Sequence, residues 1–293
     1  MRYAFYPGCA AKGATPELYQ STQEVARVLG LDLVELTDYN CCGAGVITEA
    51  DPRLAYTLIA RNLAMAEQLG LSTLMTICGT CQGVMAAANR SLQESDALRD
   101  EINGRLRETT GLTYRGNVEV KHLQWVLVKD FGLDELKSKI TRPLTDLRIA
   151  PFYGCYILRP SRNLGFDNPV DPSSLERLVE ALGARPVEYE GRNQCCGFPV
   201  LLEKPEISTA MVAKHVGEAA DKGAEAMVTP CPLCHMSLDI YQERAAKSAG
   251  RALDLPILHL PQLLGLALGI EPKRLGLGHH LVPTGKLTDR LSD

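Results

Sequence analysis

A chain of 293 residues with 45% hydrophobic and 23% charged side chains can bury a core and has room for two domains of ordinary size, which excludes a disordered or low-complexity function. A net charge of −4, with no block of lysines or arginines, excludes an electrostatic footprint for nucleic-acid backbones. Residues 1–9 lack an apolar run ending in a small-residue cleavage site, and the apolar stretch 253–268 is broken by Asp254, Pro256, His259, Pro261 and Gln262. A cytoplasmic protein without a membrane span is therefore expected.

The chain opens on a predicted strand that ends at Gly8-Cys9. Apolar residues at helical spacing predict a helix over 16–29, with Thr15-Pro16 marking its first turn. A strand over 31–36 leads into Cys41-Cys42-Gly43, a helix over about 52–69 follows, and a third strand enters Cys78-x2-Cys81. Residues 89–116 are charged and helix-prone and read as an excursion on this first half, and 137–145 read as a linker. The order then recurs. A short strand ends at Gly154-Cys155, and a helix over 172–182 opens on Asp171-Pro172. A strand over 184–189 precedes Cys195-Cys196-Gly197, a helix covers 205–222, and a strand enters Cys231-x2-Cys234. This alternation predicts an α/β fold of two pseudo-symmetric domains, residues 1–141 and 142–293, each a small parallel sheet with covering helices. Ligands gather beyond the carboxyl ends of such strands, where every cysteine group falls, so the five sulfurs of a half can converge.

The ten cysteines form two sets of five in one internal order, with none left over. Flanking residues repeat as well. Ala4-Phe5-Tyr6-Pro7-Gly8-Cys9 parallels Ala150-Pro151-Phe152-Tyr153-Gly154-Cys155, and Met75-Thr76-Ile77-Cys78 parallels Val228-Thr229-Pro230-Cys231. Val120-Lys121-His122-Leu123-Gln124 echoes Ile257-Leu258-His259-Leu260-Pro261-Gln262, read as matching positions in a helical repeat. Two homologous halves account for this.

Cysteines in a chain without an export signal are expected to be metal ligands or catalytic thiols rather than disulfides. A single Cys-x2-Cys beside a β-α unit fits a thioredoxin-like redox pair, but three further cysteines per half do not. Tetrahedral zinc takes four ligands, so five cysteines overfill it, and adjacent Cys41-Cys42 suit separate corners of a multinuclear cluster better than one ion. Ordinary cubanes take four cysteines, so the spacing points to an unusual cluster without giving its geometry. Gly8, Gly43, Gly154 and Gly197 are expected to allow backbone approaches that a side chain would obstruct. His122 and His259 read as packing or hydrogen-bonding elements, while His235, next to Cys234, and His215 are candidate proton-handling residues.

The two sets, Cys9…Cys41-Cys42-Gly43…Cys78-x2-Cys81 and Cys155…Cys195-Cys196-Gly197…Cys231-x2-Cys234, resemble the duplicated cysteine-rich CCG domain. With little chain outside the two copies, and with the Pro272–Leu277 and His279-His280 tail, the sequence is similar to the B-subunit family of heterodisulfide reductase, including its bacterial sulfur-oxidising branch. The resemblance implies that Cys9, Cys41, Cys42, Cys78, Cys81, Cys155, Cys195, Cys196, Cys231 and Cys234 hold two noncubane [4Fe-4S] clusters, one per domain. It implies cleavage or formation of an S–S bond between them, on a small disulfide or a carrier-bound thiol or persulfide. It also implies a ferredoxin-like iron-sulfur partner and, through it, a flavoprotein partner, corresponding to the C and A components of heterodisulfide reductase. Two alternatives stay open: an electron-transfer component of a lactate, glycolate, glycerol-3-phosphate or succinate oxidising system, and a zinc-stabilised interaction module.

Overall fold

The computed structural model describes residues 1–291. The first half runs β1 (Arg2–Tyr6), α1 (Cys9–Gly13), α2 (Pro16–Leu29), β2 (Asp32–Glu35), α3 (Val46–Ala50), α4 (Pro52–Gln68), β3 (Thr73–Thr76), α5 (Gly79–Glu94), α6 (Asp96–Thr110) and β4 (Glu119–His122). A short α7 (Leu123–Trp125), a π-helical turn (Val126–Gly132) and α8 (Leu133–Lys139) lead out of it. The second half runs β5 (Arg148–Pro151), α9 (Ser161–Leu164), α10 (Ser174–Ala181), β6 (Arg185–Pro186), α11 (Pro205–Asp221), β7 (Ala226–Thr229), α12 (Pro232–Ile240), α13 (Gln242–Ala249), β8 (Ile257–His259), α14 (Leu260–Ala267) and α15 (Gly285–Arg290).

Two four-stranded parallel sheets result, ordered β2-β1-β3-β4 and β6-β5-β7-β8. Their registers correspond: Ala4 pairs with Leu74 in one sheet, and Ala150 with Met227 in the other. The predicted α/β class and repeat are thus realised, and the helix ends follow local chemistry. Pro16 begins α2, whose last turn is closed by Gly30 in the left-handed region. Asp51 caps α4 by accepting from the Leu54 N–H.

Four readings need correction. The matching histidines lie at the ends of fourth strands, β4 and β8, not in a helical repeat. Glu119 and Lys121 diluted the strand signal of β4, which is held by its pairing with β3. The expected strand over 184–189 shrinks to Arg185–Pro186 at the sheet edge, where the Arg185 and Val187 N–H groups bond to β5 and its flank and Pro186 needs no N–H on the outer side. Residues 89–116 are no excursion: α6 packs on α4 as α13 packs on α11 in the other half. The expected linker is partly α8, and its Thr141 and Arg142 N–H groups bond to the Ala267 carbonyl.

The halves are interlocked. Leu18 and Val25 of α2 share one core with Leu260, Leu263 and Leu264 of α14, so the first long helix of one half packs on the helix that follows the fourth strand of the other. The pseudo-symmetric contact sets α8 against α10, with the Gln124 amide donating to Ser174 Oγ at 2.6 Å. No helix among the described residues is long and apolar enough to cross a membrane.

Gly83 of α5 lies under the loop after Cys155, and a Cβ there would stand 2.4 Å from the Tyr156 carbonyl oxygen. Gly83→Ala is expected to destabilise the protein by about 1–3 kcal/mol, the usual cost of overpacking a close backbone contact. A urea midpoint equal to that of the wild type would show that the halves do not press together there.

Candidate metal centre

Each cysteine group sits just beyond a strand end. Cys9 follows β1 and opens α1, Cys78 follows β3 and caps α5, and Cys81 lies one turn into α5. The Cys41-Cys42 loop is held from α4 by the buried Asn62, which accepts from the Asn40 N–H at 3.1 Å and donates to the Asn40 carbonyl at 2.9 Å. These elements bring Cys9 Sγ within 3.6 Å of Cys41 Sγ and Cys42 Sγ within 3.4 Å of Cys81 Sγ, while the Cys81 N–H donates to Cys78 Sγ.

The second half repeats the arrangement. Cys155 neighbours Cys195, and Cys196 and Cys231 neighbour Cys234, each near enough to shift the proton affinity of the other. His215 of α11 takes the place of Asn62, with Nε2 donating to the Cys195 carbonyl at 2.9 Å. Ser237 Oγ donates to the Cys196 carbonyl at 2.7 Å. His215 is thus a holder of the Cys-Cys loop.

The thiols of each pocket split in proton affinity. Hydrogen bonds from the Cys42 and Cys9 thiols hold the Cys41 thiol far down, to about 2, and those from Cys155 and Cys196 do the same for Cys195. Their neighbours move the other way: Cys42 and Cys196 are pushed up to about 12, foremost by their bonds to Cys41 and Cys195. Gly43 and Gly197 each take positive φ and donate a backbone N–H to the first sulfur of the pair. At Gly154 a Cβ would fall 2.7 Å from Cys234 Sγ, and φ is +71°, so only glycine fits beside that sulfur. Five sulfurs in thiol contact, steered by amides and crowded around little but one another, fit a multinuclear iron-sulfur group better than a single tetrahedral ion.

The two sites touch. The turn that carries Cys78 abuts Cys231 across the halves: a Cβ on Gly79 would stand 3.4 Å from Cys231 Cβ, and Thr80 Oγ1 lies 3.4 Å from Cys231 Sγ. The Gly79 N–H donates to the Pro230 carbonyl at 3.1 Å, and His122 Nε2 donates to the same oxygen at 2.9 Å. Symmetry breaks here, since Pro232 occupies the place of Gly79 and has no N–H to return the bond. Tyr156 stands between the sites. Burial raises its phenol, and the charges of Cys155, Glu49, Cys195 and Cys42 add to the rise. It also walls a largely apolar cavity of about 250 Å³ with Pro52, Ala55, Tyr56, Val84 and Pro160. Sequence reasoning missed Tyr156, Thr80 and Asn62, for which the only available signal was proximity to a cysteine in the chain or in the repeat.

His235 is 4% exposed and stacks on His259, with ring centroids 3.9 Å apart. His122 is buried, with Nδ1 accepting from the Gln124 N–H.

A family model described as the cysteine-rich domain, CCG, matches residues 3–86 and 149–239. The chain is 43% identical over 97% of its length, and 98% of the relative's, to the 8-methylmenaquinol:fumarate reductase membrane anchor subunit of Wolinella succinogenes. It is 32% identical over 96% of its length, and 94% of the relative's, to the B subunit of the ferredoxin/F(420)H(2)-dependent CoB-CoM heterodisulfide reductase of Methanosarcina acetivorans. A hypothetical protein from Helicobacter pylori shares the fold, with a TM-score of 0.78 at 17% identity, over 96% of this chain and 52% of that one. The chain belongs to the CCG cysteine-rich domain family.

Burial lowers His122 from its ordinary 6.5 to about 4, and His280 likewise to about 4. The unfolded chain therefore binds more protons than the folded one within that window, so stability is full above about pH 6.5 and falls as the pH drops toward 4. At about 1.4 kcal/mol per unit, His122 alone accounts for roughly 2–4 kcal/mol. Urea midpoints are expected to fall steeply from about pH 7 to 4.5 in the wild type and less steeply in His122→Gln; parallel slopes would remove His122 as the cause.

Proposed function

We propose that this member of the CCG family is the iron-sulfur component of an oxidoreductase complex, with two noncubane [4Fe-4S] clusters, one on each five-cysteine set. In this reading the complex makes or breaks an S–S bond between the two sites. The observation that carries the proposal is the meeting of two complete sulfur sets where the Cys78-Gly79-Thr80 turn abuts Cys231, which brings two electron carriers to one substrate. The heterodisulfide reductase relatives, similar along nearly the full chain, support the sulfur substrate. When bound, the clusters would take the two sulfurs of the substrate and pass two electrons one at a time.

The chain's own residues supply position and exclusion. Asn62 and His215 fix the two Cys-Cys loops from α4 and α11, and Gly79, His122 and Pro230 fix the spacing of the sites. Tyr156 separates the apolar cavity from the sulfurs and holds its proton, so it is placed to hydrogen-bond a sulfur entering from that side. Cys9 and Cys41 are exposed, which leaves the outer edge of the first site open to a partner. A ferredoxin-like protein is proposed to deliver electrons there, itself supplied by a flavoprotein, with the assembly in the cytoplasm.

A second reading is favoured by the 43% identity to the methylmenaquinol:fumarate reductase component. Here the same two clusters serve electron transfer from a quinol, whose apolar ring would suit the cavity beside Tyr156.

The deciding experiment measures iron, sulfide and zinc in anaerobically purified protein and records paramagnetic resonance spectra during titration with a thiol, a disulfide and a menaquinol analogue. About eight irons per chain with a thiol-dependent signal are expected for the sulfur reading. A signal that responds to the quinol alone supports the second reading, and zinc without a signal removes both. Cys196→Ala is expected to remove about half the iron and abolish S–S chemistry, and Cys42→Ala to remove the other half. Loss of all iron from either variant would point to one shared centre in place of two.

A further inference from the structure

Beside the second cysteine site, five side chains from four segments meet in the interior. They are Glu17 of α2, His235 and Asp239 on one face of α12, His259 at the end of β8, and His280 in the tail after α14. His235 Nε2 lies 3.0 Å from His280 Nδ1, and His259 Nε2 lies 3.2 Å from Glu17 Oε1. His235 belongs to two overlapping sets, Glu17-His235-His259 and His235-Asp239-His280. Within each set, one donor atom per residue lies within 4.8 Å of the others.

Three features set this cluster apart from an ordinary buried polar network. Glu17 and Asp239 are 5% and 3% exposed, yet no lysine or arginine among the described residues pairs with either. Two buried carboxylates without a cation are costly, and these two are near enough for the charge of Glu17 to act on Asp239. Nδ1 of His235, also buried, has no hydrogen-bond partner among the described residues. The donors are already held from outside. Gln262 Oε1 accepts from the His259 N–H, Gln262 Nε2 lies 2.9 Å from His280 Nε2, and the Leu281 and Val282 N–H groups donate to Asp239, so the side chains are fixed in place.

We propose that this cluster is a nitrogen- and oxygen-donor site for one divalent cation of the zinc class, distinct from the cysteine sites, with His235 as a ligand joined by a second imidazole and a buried carboxylate. Mixed imidazole and carboxylate donors suit zinc, whereas calcium and magnesium prefer all-oxygen shells. Bonds of about 2.0–2.2 Å to a tetrahedral ion put its ligand atoms roughly 3.3 Å apart, close to the 3.0 and 3.2 Å separations present here. The ion would neutralise the carboxylates and join α2 of the first half, α12 of the second and the tail at one point.

The test uses the whole chain with its clusters assembled, equilibrated with zinc, dialysed, and measured by elemental analysis and zinc K-edge absorption. About one zinc per chain beyond the iron is expected, with a first shell of nitrogen and oxygen only. At least one of Glu17→Gln and Asp239→Asn is expected to bind zinc ten or more times more weakly, at about the scale by which even outer-shell changes weaken such sites, with iron and sulfide unchanged. Should Glu17→Gln fail to fold, Asp239→Asn, which keeps an acceptor for the tail N–H groups, and His280→Ala carry the test. Sulfur in the zinc shell, no zinc retained by iron-replete protein, or wild-type zinc affinity in every folded variant would overturn the proposal.

Discussion

The contact on which the rest depends is the meeting of Cys78 with Cys231 over the Pro230 carbonyl. That one oxygen accepts from both the Gly79 N–H and His122 Nε2, so the β3–α5 turn of one half is bolted to its counterpart, the β7–α12 turn, in the other. A buried carbonyl with two donors is well satisfied, and shifting either half would leave three polar groups unpaired in a dry interior. The spacing of the two sulfur sets is therefore set by hydrogen bonds independent of any bound group.

Interlocked helices reinforce this. Each half lends its first long helix to the core of the other, α2 against α14 and α10 against α8, so neither sheet buries its face alone. The repeat supplies two similar surfaces, and the crossing turns them into one hydrophobic body with both cysteine groups at the carboxyl ends of parallel strands. Duplication also left room for divergence. Asn62 and His215 hold corresponding loops by different chemistry, and Pro232 ended a reciprocal hydrogen bond that Gly79 still makes. The second half went further, gathering three imidazoles and Asp239 next to Cys234 and drawing in Glu17 from the first half.

Placement of the sulfurs divides labour within each set. Cys41 and Cys195, fed by neighbouring thiols and a glycine N–H, and the buried Cys231, fed by Cys234 and Cys78, carry the stabilised thiolates, while at Cys78, Cys81 and Cys234 sulfur neighbours and burial favour the protonated form. Cys9 and Cys41 face solvent and Cys155 and Cys195 are half-buried, so the first site is the more accessible of the two. Tyr156, between them, meets both charge and apolar surface.

The cysteine order alone determined the repeat, the two five-sulfur groups and the parallel α/β class, because sulfur spacing and β-α alternation are written locally in the chain. Helices such as 16–29 were legible almost to the residue, since proline and glycine mark their ends. Only the tertiary structure decided the fourth strands, the contact between sites and the histidine cluster. His122 and His259 look alike in sequence, yet one bonds the Pro230 carbonyl across the junction and the other meets Glu17, 242 residues away. Such pairings depend on which helix of one half covers which sheet of the other. That is a matter of long-range packing, and no local pattern of residues encodes it.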